Sequence, residues 1–240
     1  MDVKGPGALV PSAVDFAEAA RRMRQPNLQA TARQACRSAQ ELLGCPDAVI
    51  CVHPRNGEAD PWIGVGERAH RLTLLQVECH DGPHVGATEE QTVVIDDVAG
   101  ESRWPLWSAQ AAALGVASYA SVLIGERRSH SVWLDLYSDE PGYFTAQRME
   151  HAGALVLHVA SALEAAYTEE GLRDAVEGRH LIGVAQGRLI QRYGLEIEQA
   201  FAVLKRYSQD KNVKLRVLAR HVAETGELPV ENEDGSTALS

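Results

Sequence analysis

Aromatic side chains are scarce in this 240-residue chain, 5% of the total. Cysteine is scarcer: Cys36, Cys45, Cys51 and Cys79 show no C-x-x-C spacing, which leaves a disulfide framework without support. The longest apolar run, AGALVLHVA at 152–160, is about half of the ~20 residues that span a bilayer, and the N-terminus lacks the charged-then-apolar layout of a secretory signal. The expectation is a soluble chain in a reducing cytoplasmic setting, with no membrane partner. No G-x-x-x-x-G-K, G-x-G-x-x-G or H-E-x-x-H occurs, so nucleotide hydrolysis, dinucleotide binding and zinc-peptidase chemistry lack their usual carriers. What is plentiful is apolar residues, 45%, and acid, with a net charge of −10; the length fits one or two globular domains.

Against that acidic background one stretch stands out. From Arg179 to Arg220 the chain carries nine Lys or Arg against Glu196, Glu198 and Asp210, a local charge of +6. A cationic helical face binds phosphates by releasing condensed counterions. A merely solvated helix face has the same pattern, so charge names a class of partner without choosing it. Gln209 and Asn212 add amides that reach base edges, and Tyr193 and Tyr207 offer rings for stacking on unpaired bases.

Helical spacing and breakers predict two opening helices, over 12–25 and, after Pro26, over 27–44 with Asn27 as cap and Gly44 as stop. Short β-type runs follow at 48–53, 62–66, 92–96, 119–125 and 131–138, where the alternation in VWLDLY marks a half-buried strand. Between the third and fourth, RWPLWSAQAAALGV reads as a helix from Pro105 to Gly115. This order predicts an α+β domain around a central antiparallel sheet, ending near Phe144.

From Thr145 to Gly194 the pattern is helical for nearly fifty residues, roughly 70 Å at ~1.5 Å per residue. Val156, Val159, Leu163 and Ala166 follow three-four spacing and predict a homodimeric coiled coil; packing on the α+β domain would produce the same stripe. Two more helices, one after Gly194 and one closed by Gly226, complete a three-helix unit with the end of the long helix. Residues 227–240 are acidic and aperiodic, the composition of a disordered tail.

The run ECHDGPH (78–84) collects metal-ligand types, yet Asp81-Gly82-Pro83 is turn chemistry that disperses them, and a solvated loop is the reading adopted; no metal, cofactor or catalytic residue is assigned. Arg103 beside Trp104 and Trp107 could clamp an anionic or planar ligand, but the plainer expectation is that RWPLW packs a helix on the sheet, with Arg103 pairing to Asp96 or Asp97.

The segment IGVAQGRLIQRYGLEIEQAFAVLKRYSQDKNVKLRVLARHVAETG (182–226), with Ala185, Gly187, Ala200, Phe201 and the LKRYSQDKN and KLRVLA blocks, resembles the ANTAR domain, an RNA-binding module of bacterial transcription antitermination regulators. LQVECHDGPHVGA, VVIDDVAGESRWPLWSAQAAALGVAS and VWLDLYSDEPGYF resemble the GAF domain that precedes ANTAR modules in actinobacterial regulators. The chain departs from the family pattern at Gln186, where Lys is common, and at His84, where Cys is common. The first removes a cation from the implied RNA face, and the second removes a thiol from the implied sensor pocket.

The resemblance implies an N-terminal segment 1–26, a GAF sensor with its connecting helix at 27–166, an all-α coiled coil leading to a three-helix ANTAR module at 167–226, and the tail. It implies a non-enzymatic homodimer that binds stem-loops in nascent RNA through Arg188, Arg192, Lys205, Arg206, Lys211, Asn212, Lys214, Arg216 and Arg220. A small-molecule or protein signal would act at a sensor pocket holding Cys79, His84, Arg103 and Trp104. The rivals are a DNA-binding helix-turn-helix regulator that reads duplex with 214–225, and a GAF-type reductase of oxidised methionine using Cys45, Cys51 or Cys79.

Overall fold

The computed structural model describes residues 10–54, 63–64, 66–84, 90–128 and 130–229. They fall into two compact units, Met1–Thr168 and Glu169–Ser240.

The first unit opens with α1 (Ala13–Arg22) and α2 (Leu28–Leu43). Ser12 starts α1 through a capping box: its backbone N–H donates to Asp15 Oδ2 at 2.7 Å and its Oγ accepts from Asp15 N. Asn27 Oδ1 accepts from Ala30 N at 2.8 Å, and Gly44 ends α2 with φ 71°, a left-handed conformation that favours glycine. Then come β1 (Asp47–Pro54), β2 (Ile63–Gly64), α3 (Glu67–Cys79), β3 (Thr92–Ile95), α4 (Pro105–Ala113), β4 (Ser118–Glu126) and β5 (His130–Ser138). The strands form one antiparallel sheet in the order β2-β1-β5-β4-β3. Of the expected run 62–66, Ile63 and Gly64 form the short edge strand, and Trp62 and Val65 lie outside the described residues. Helix α3 was not expected from the pattern.

The sheet is buried on both faces, which corrects the half-buried reading of VWLDLY. Ala48 and Ile50 of β1, with Leu134 and Leu136 of β5, join a core formed with α1, α2 and Phe144. Their neighbours Val49, Cys51 and Tyr137 join a second core with Ala69, Leu72 and Leu75 of α3 and Trp107 and Ala111 of α4. The two-residue period of a strand thus feeds two covering layers. Trp133 and Asp135 share the second face with Tyr137, so a carboxylate placed by alternation points into a core.

Helix α5 (Ala146–Tyr193) has 48 residues. Val156, Val159 and half-buried Leu163 pack in the first core, and Ala166 is buried. The stripe expected to meet a second copy is therefore occupied by the chain's own unit. The opposite side of α5 is exposed: Leu157 is 71%, Leu172 64% and Val176 69% accessible.

The second unit packs the end of α5 with α6 (Ile197–Asp210) and α7 (Leu215–Thr225). Ala185, Leu189, Ala200, Leu204, Leu218, Ala219 and Val222 are its core. Gly194 (φ 66°) and Asn212 (φ 50°) make the left-handed turns between helices. Leu228 packs on this core and Tyr207 donates its hydroxyl to Pro229 O, so the start of the expected tail is ordered; 230–240 lie outside the described residues, as do 1–9.

Leu204 is fully buried, and Leu204→Ala should cost about 2–5 kcal/mol. All four Trp, at 62, 104, 107 and 133, belong to the first unit. Thermal melts followed by circular dichroism should therefore lose helix earlier in this variant, while the Trp fluorescence transition keeps its wild-type midpoint.

Candidate nucleic-acid interface

Two faces of the three-helix unit carry its cations. On α6, Lys205 and Arg206 are exposed, on the side away from Ala200 and Leu204. Lys211 caps the end of α6, Asn212 takes the left-handed turn, and Lys214 is the N-cap residue of α7. No carboxylate among the described residues pairs with Lys205, Arg206 or Lys214. Lys211 takes part in an interaction of its own.

The second face lies along α7 and α5. Arg216 Nη1 stands 2.7 Å from Asp174 Oδ2, and Arg220 Nη2 stands 2.6 Å from Glu177 Oε1. Arg192 Nη2 stands 2.5 Å from Glu227 Oε1. Arg188 approaches the C-terminus of α7, its Nη1 3.5 Å from where a Cβ on Gly226 would stand. These four contacts advance together along both helices, so α7 runs parallel to α5. The stem of Arg216 lies over Gly178, its Cδ 3.8 Å from where a side chain would begin.

Among the described residues, Arg192, Arg216 and Arg220 of the nine expected RNA contacts are thus paired with the chain's own carboxylates. The local +6 missed this because Asp174, Glu177 and Glu227 flank the 179–220 window. Their side chains and their partners are about half exposed, where an ion pair contributes only about 0–1 kcal/mol. Such pairs hold a side chain's position without committing it. Gln186 donates from Nε2 to Ile197 O at 3.1 Å and so ties α5 to the start of α6. Tyr193 is exposed, whereas Tyr207 packs on the core and is not a free stacking platform.

The expected sensor-pocket residues make different contacts. Cys79 Sγ accepts from Gln110 Nε2 at 2.9 Å, and burial, then Asp81 and Glu78, push its thiol pKa up. Arg103 grips Glu101, Nη2 to Oε2 2.7 Å, rather than Asp96 or Asp97, and stacks on Trp104 with its Cζ 4.5 Å from the ring centroid. Asp81 Oδ2 accepts from the backbone N–H groups of Leu106 and Trp107 at 2.8 and 3.2 Å and so caps α4. The ECHDGPH residues therefore point to different partners, and among the described residues no His, Cys, Asp and Glu cluster suits a metal ion.

His84 is the exception to the solvated-loop expectation, because its side chain is only 1% exposed. Its Nε2 lies 2.7 Å from Asp135 Oδ1, 3.0 Å from Tyr119 OH and 3.2 Å from Ser121 Oγ. Its ring packs against His53 and Trp133 with centroids 4.4 and 4.8 Å away. Ser121 donates to Asp135 Oδ1 at 2.7 Å and Cys51 Sγ approaches Oδ2 at 3.2 Å. Burial alone would raise the Asp135 pKa; attraction to His84 and hydrogen bonds from His84 and Ser121 outweigh it and hold the carboxyl at about 2. Sequence reasoning missed His53, Asp135, Tyr119 and Ser121. One signal was available: a carboxylate between Trp133 and Tyr137 on the same face of a strand.

The remaining thiols, Cys36, Cys45 and Cys51, are free and buried. Burial pushes Cys36 and Cys45 up to about 12 and Cys51 well above its ordinary value, which removes the thiolate a nucleophile requires.

The helices that carry this interface coincide with a recognised module: residues 170–222 match the ANTAR domain. This stretch is an ANTAR domain. A search of curated proteins finds no match. Among solved structures the chain is similar to CepR2 of Burkholderia cenocepacia, an N-acylhomoserine lactone dependent LuxR family transcription factor. The identity is 18% and the TM-score 0.50, over 65% of this chain and 95% of that one. It is also similar to the bacteriophytochrome RpBphP3 of R. palustris, at 12% identity and TM-score 0.50 over 83% of this chain. There it spans about half, 48%, of the other chain. These likenesses bear on fold alone and are consistent with a GAF-like unit ahead of the ANTAR domain. Among the described residues no helix is long and apolar enough to cross a membrane.

Half-buried His53 makes the first unit acid-sensitive. Burial, and then repulsion from His84, lower His53 from 6.5 to about 4, so below pH 6.5 the unfolded chain binds a proton that the folded chain refuses, and stability falls as pH drops toward 4. Asp135 acts in the same sense at lower pH: its depressed pKa stabilises the fold above its ordinary 3.8, and that contribution is lost as pH falls through about 2. Trp-fluorescence melts should show a midpoint that declines between pH 6.5 and 4, and His53→Phe, which keeps the ring contact but cannot take a proton, should flatten that decline.

Proposed function

We propose that this protein is a signal-responsive RNA-binding regulator that acts by transcription antitermination on stem-loop RNA, with a GAF-like sensor at 27–166 and the RNA-binding module at 167–226. The observation that carries the reading is the coincidence of the ANTAR match with a three-helix unit whose exposed cations Lys205, Arg206 and Lys214 have no carboxylate partner among the described residues. With Lys211 and Asn212 at the α6–α7 turn they form the primary phosphate-binding set. Arg188, Arg192, Arg216 and Arg220 line the α5–α7 face. Such a protein works in the cytosol, on nascent transcripts.

Two observations disfavour the rivals. A helix-turn-helix presents its last helix to the major groove, whereas the match of residues 170–222 to the ANTAR domain favours RNA. A cysteine reductase needs a thiolate, and all four thiols are held toward the protonated form. The chain is read as a non-enzyme.

Dimerisation is assigned to the exposed side of α5. Leu157, Ser161, Ala165, Thr168, Leu172 and Val176 recur at three-four spacing and are all exposed, the layout of a seam with a second copy. Of the four residues expected in a sensor pocket, His84 alone sits in the interior cluster, so the signal is assigned to that cluster. The signal would act on RNA binding by altering the register of paired α5 helices, and so the spacing of two modules. Crosslinks trapping different registers should then give different RNA affinities.

The direct test compares binding of the full-length protein to a labelled RNA with two tandem hairpins and to duplex DNA at matched salt. The RNA should bind more tightly, and Lys205→Ala, Arg206→Ala and Lys214→Ala should each weaken it and lower the salt slope by about one. Preference for the duplex would overturn the reading. Separately, Leu172→Glu with Val176→Glu should convert a dimer to a monomer in sedimentation velocity; an unchanged mass would show that this face is not the seam.

A further inference from the structure

The three arginines held by carboxylates distinguish one part of the interface from the rest. Arg192, Arg216 and Arg220 each meet a single acid, from α5 or from just beyond α7, at 2.5–2.7 Å. The lysines Lys205 and Lys214 have no such partner among the described residues. Carboxylate and phosphate compete for the same guanidinium donors, since both accept the paired N–H groups of its planar fork. Asp174 and Glu177 sit on α5 one helical turn apart, as Arg216 and Arg220 do on α7, so the two pairs form parallel rungs. Both rungs lie in the stretch of α5 that follows the end of the first unit at Thr168, where the Arg216 stem passes over Gly178.

We infer that Asp174 and Glu177 are phosphate mimics that hold Arg216 and Arg220 in reserve, so that the chain meets RNA first through its free lysines and engages the α7 arginines only when these rungs open. This rests on the RNA-binding reading given above and adds regulation to the same site. The carboxylates act in two ways. They occupy the guanidinium donors, and their own charge repels phosphates from the α5–α7 face. Because the pairs are half exposed they open without a large barrier, and any change in α5 that shifts residues 174–177 against α7 alters how many cations the RNA finds. Glu227 holds Arg192 in the same way at the other end of the face.

The test is a set of full-length variants titrated with the labelled tandem-hairpin RNA over a range of salt. Asp174→Asn with Glu177→Gln should tighten binding by about threefold to tenfold and steepen the salt slope by about one unit, as the freed arginines meet phosphates. The control, Glu170→Gln with Glu198→Gln, removes the same charge from exposed positions outside the rungs and should give a smaller gain. In an Arg216→Ala, Arg220→Ala background the Asp174 and Glu177 substitutions should shift affinity no more than the control pair does. Equal gains from both pairs of acids, or a gain that survives loss of the arginines, would overturn the reserve and leave only long-range repulsion. Binding of the RNA by no variant would instead overturn the RNA-binding reading itself, and the reserve with it. Unchanged circular dichroism melts would confirm that each variant retains its fold.

Discussion

A sheet covered on both faces is the constraint from which the rest of this protein follows. Strand side chains alternate, so a strand with two buried faces has no position for a solvated residue. In β5, Leu134 and Leu136 fill one core while Trp133, Asp135 and Tyr137 point into the other. A carboxylate in that place is tolerable only with close partners. His84 and Ser121 supply them at 2.7 Å, and the loop after α3 is drawn inward to deliver the histidine. The polar centre of the first unit is thus enclosed by the two covering layers, and it gathers around the carboxylate that β5 carries into the second core.

The same covering layer decides what α5 has to offer. Its face through Val156 and Val159 is consumed by the first core, and its later turns lend Ala185 and Leu189 to the second. Between them, at 167–177, every residue is exposed, although Arg127 stacks over Tyr167. A helix so long is stabilised by what it packs against rather than by propensity alone. That stretch carries the arginine rungs at Asp174 and Glu177 on one side and the exposed apolar residues Leu172 and Val176 on another. The apolar face and the charge-holding face are therefore two sides of the same few turns.

Much of the fold was legible where local signals were complete. Ser12 and Asn27 announce their helices, and Gly44, Gly194 and Gly226 end theirs. Helix α3 was hidden because neither end carries such a signal: Gly66 makes no side-chain cap, and His80, not glycine, takes the left-handed exit at φ 48°. The α5 stripe was read correctly as apolar and given the wrong partner, because periodicity records that a face is covered and not by what. For the site, the cations were legible one by one. The burial of His84 was not, since it depends on Asp135, fifty-one residues away in the chain.

Charge counted along a sequence and charge met by a ligand are different quantities. The 179–220 stretch is rich in cations, yet Arg220 finds Glu177 across forty-three residues and Arg192 finds Glu227 across thirty-five. Folding brings acid to base because opposite charges on adjacent helices attract weakly even when half solvated. The cost of pulling them apart again is small, and a phosphate backbone offers the guanidinium an acceptor of greater charge density together with released counterions. On the proposed reading, an interface that combines unpaired Lys205, Arg206 and Lys214 with paired arginines has graded strength: its first contacts depend on geometry already in place, and its later ones on displacing a carboxylate.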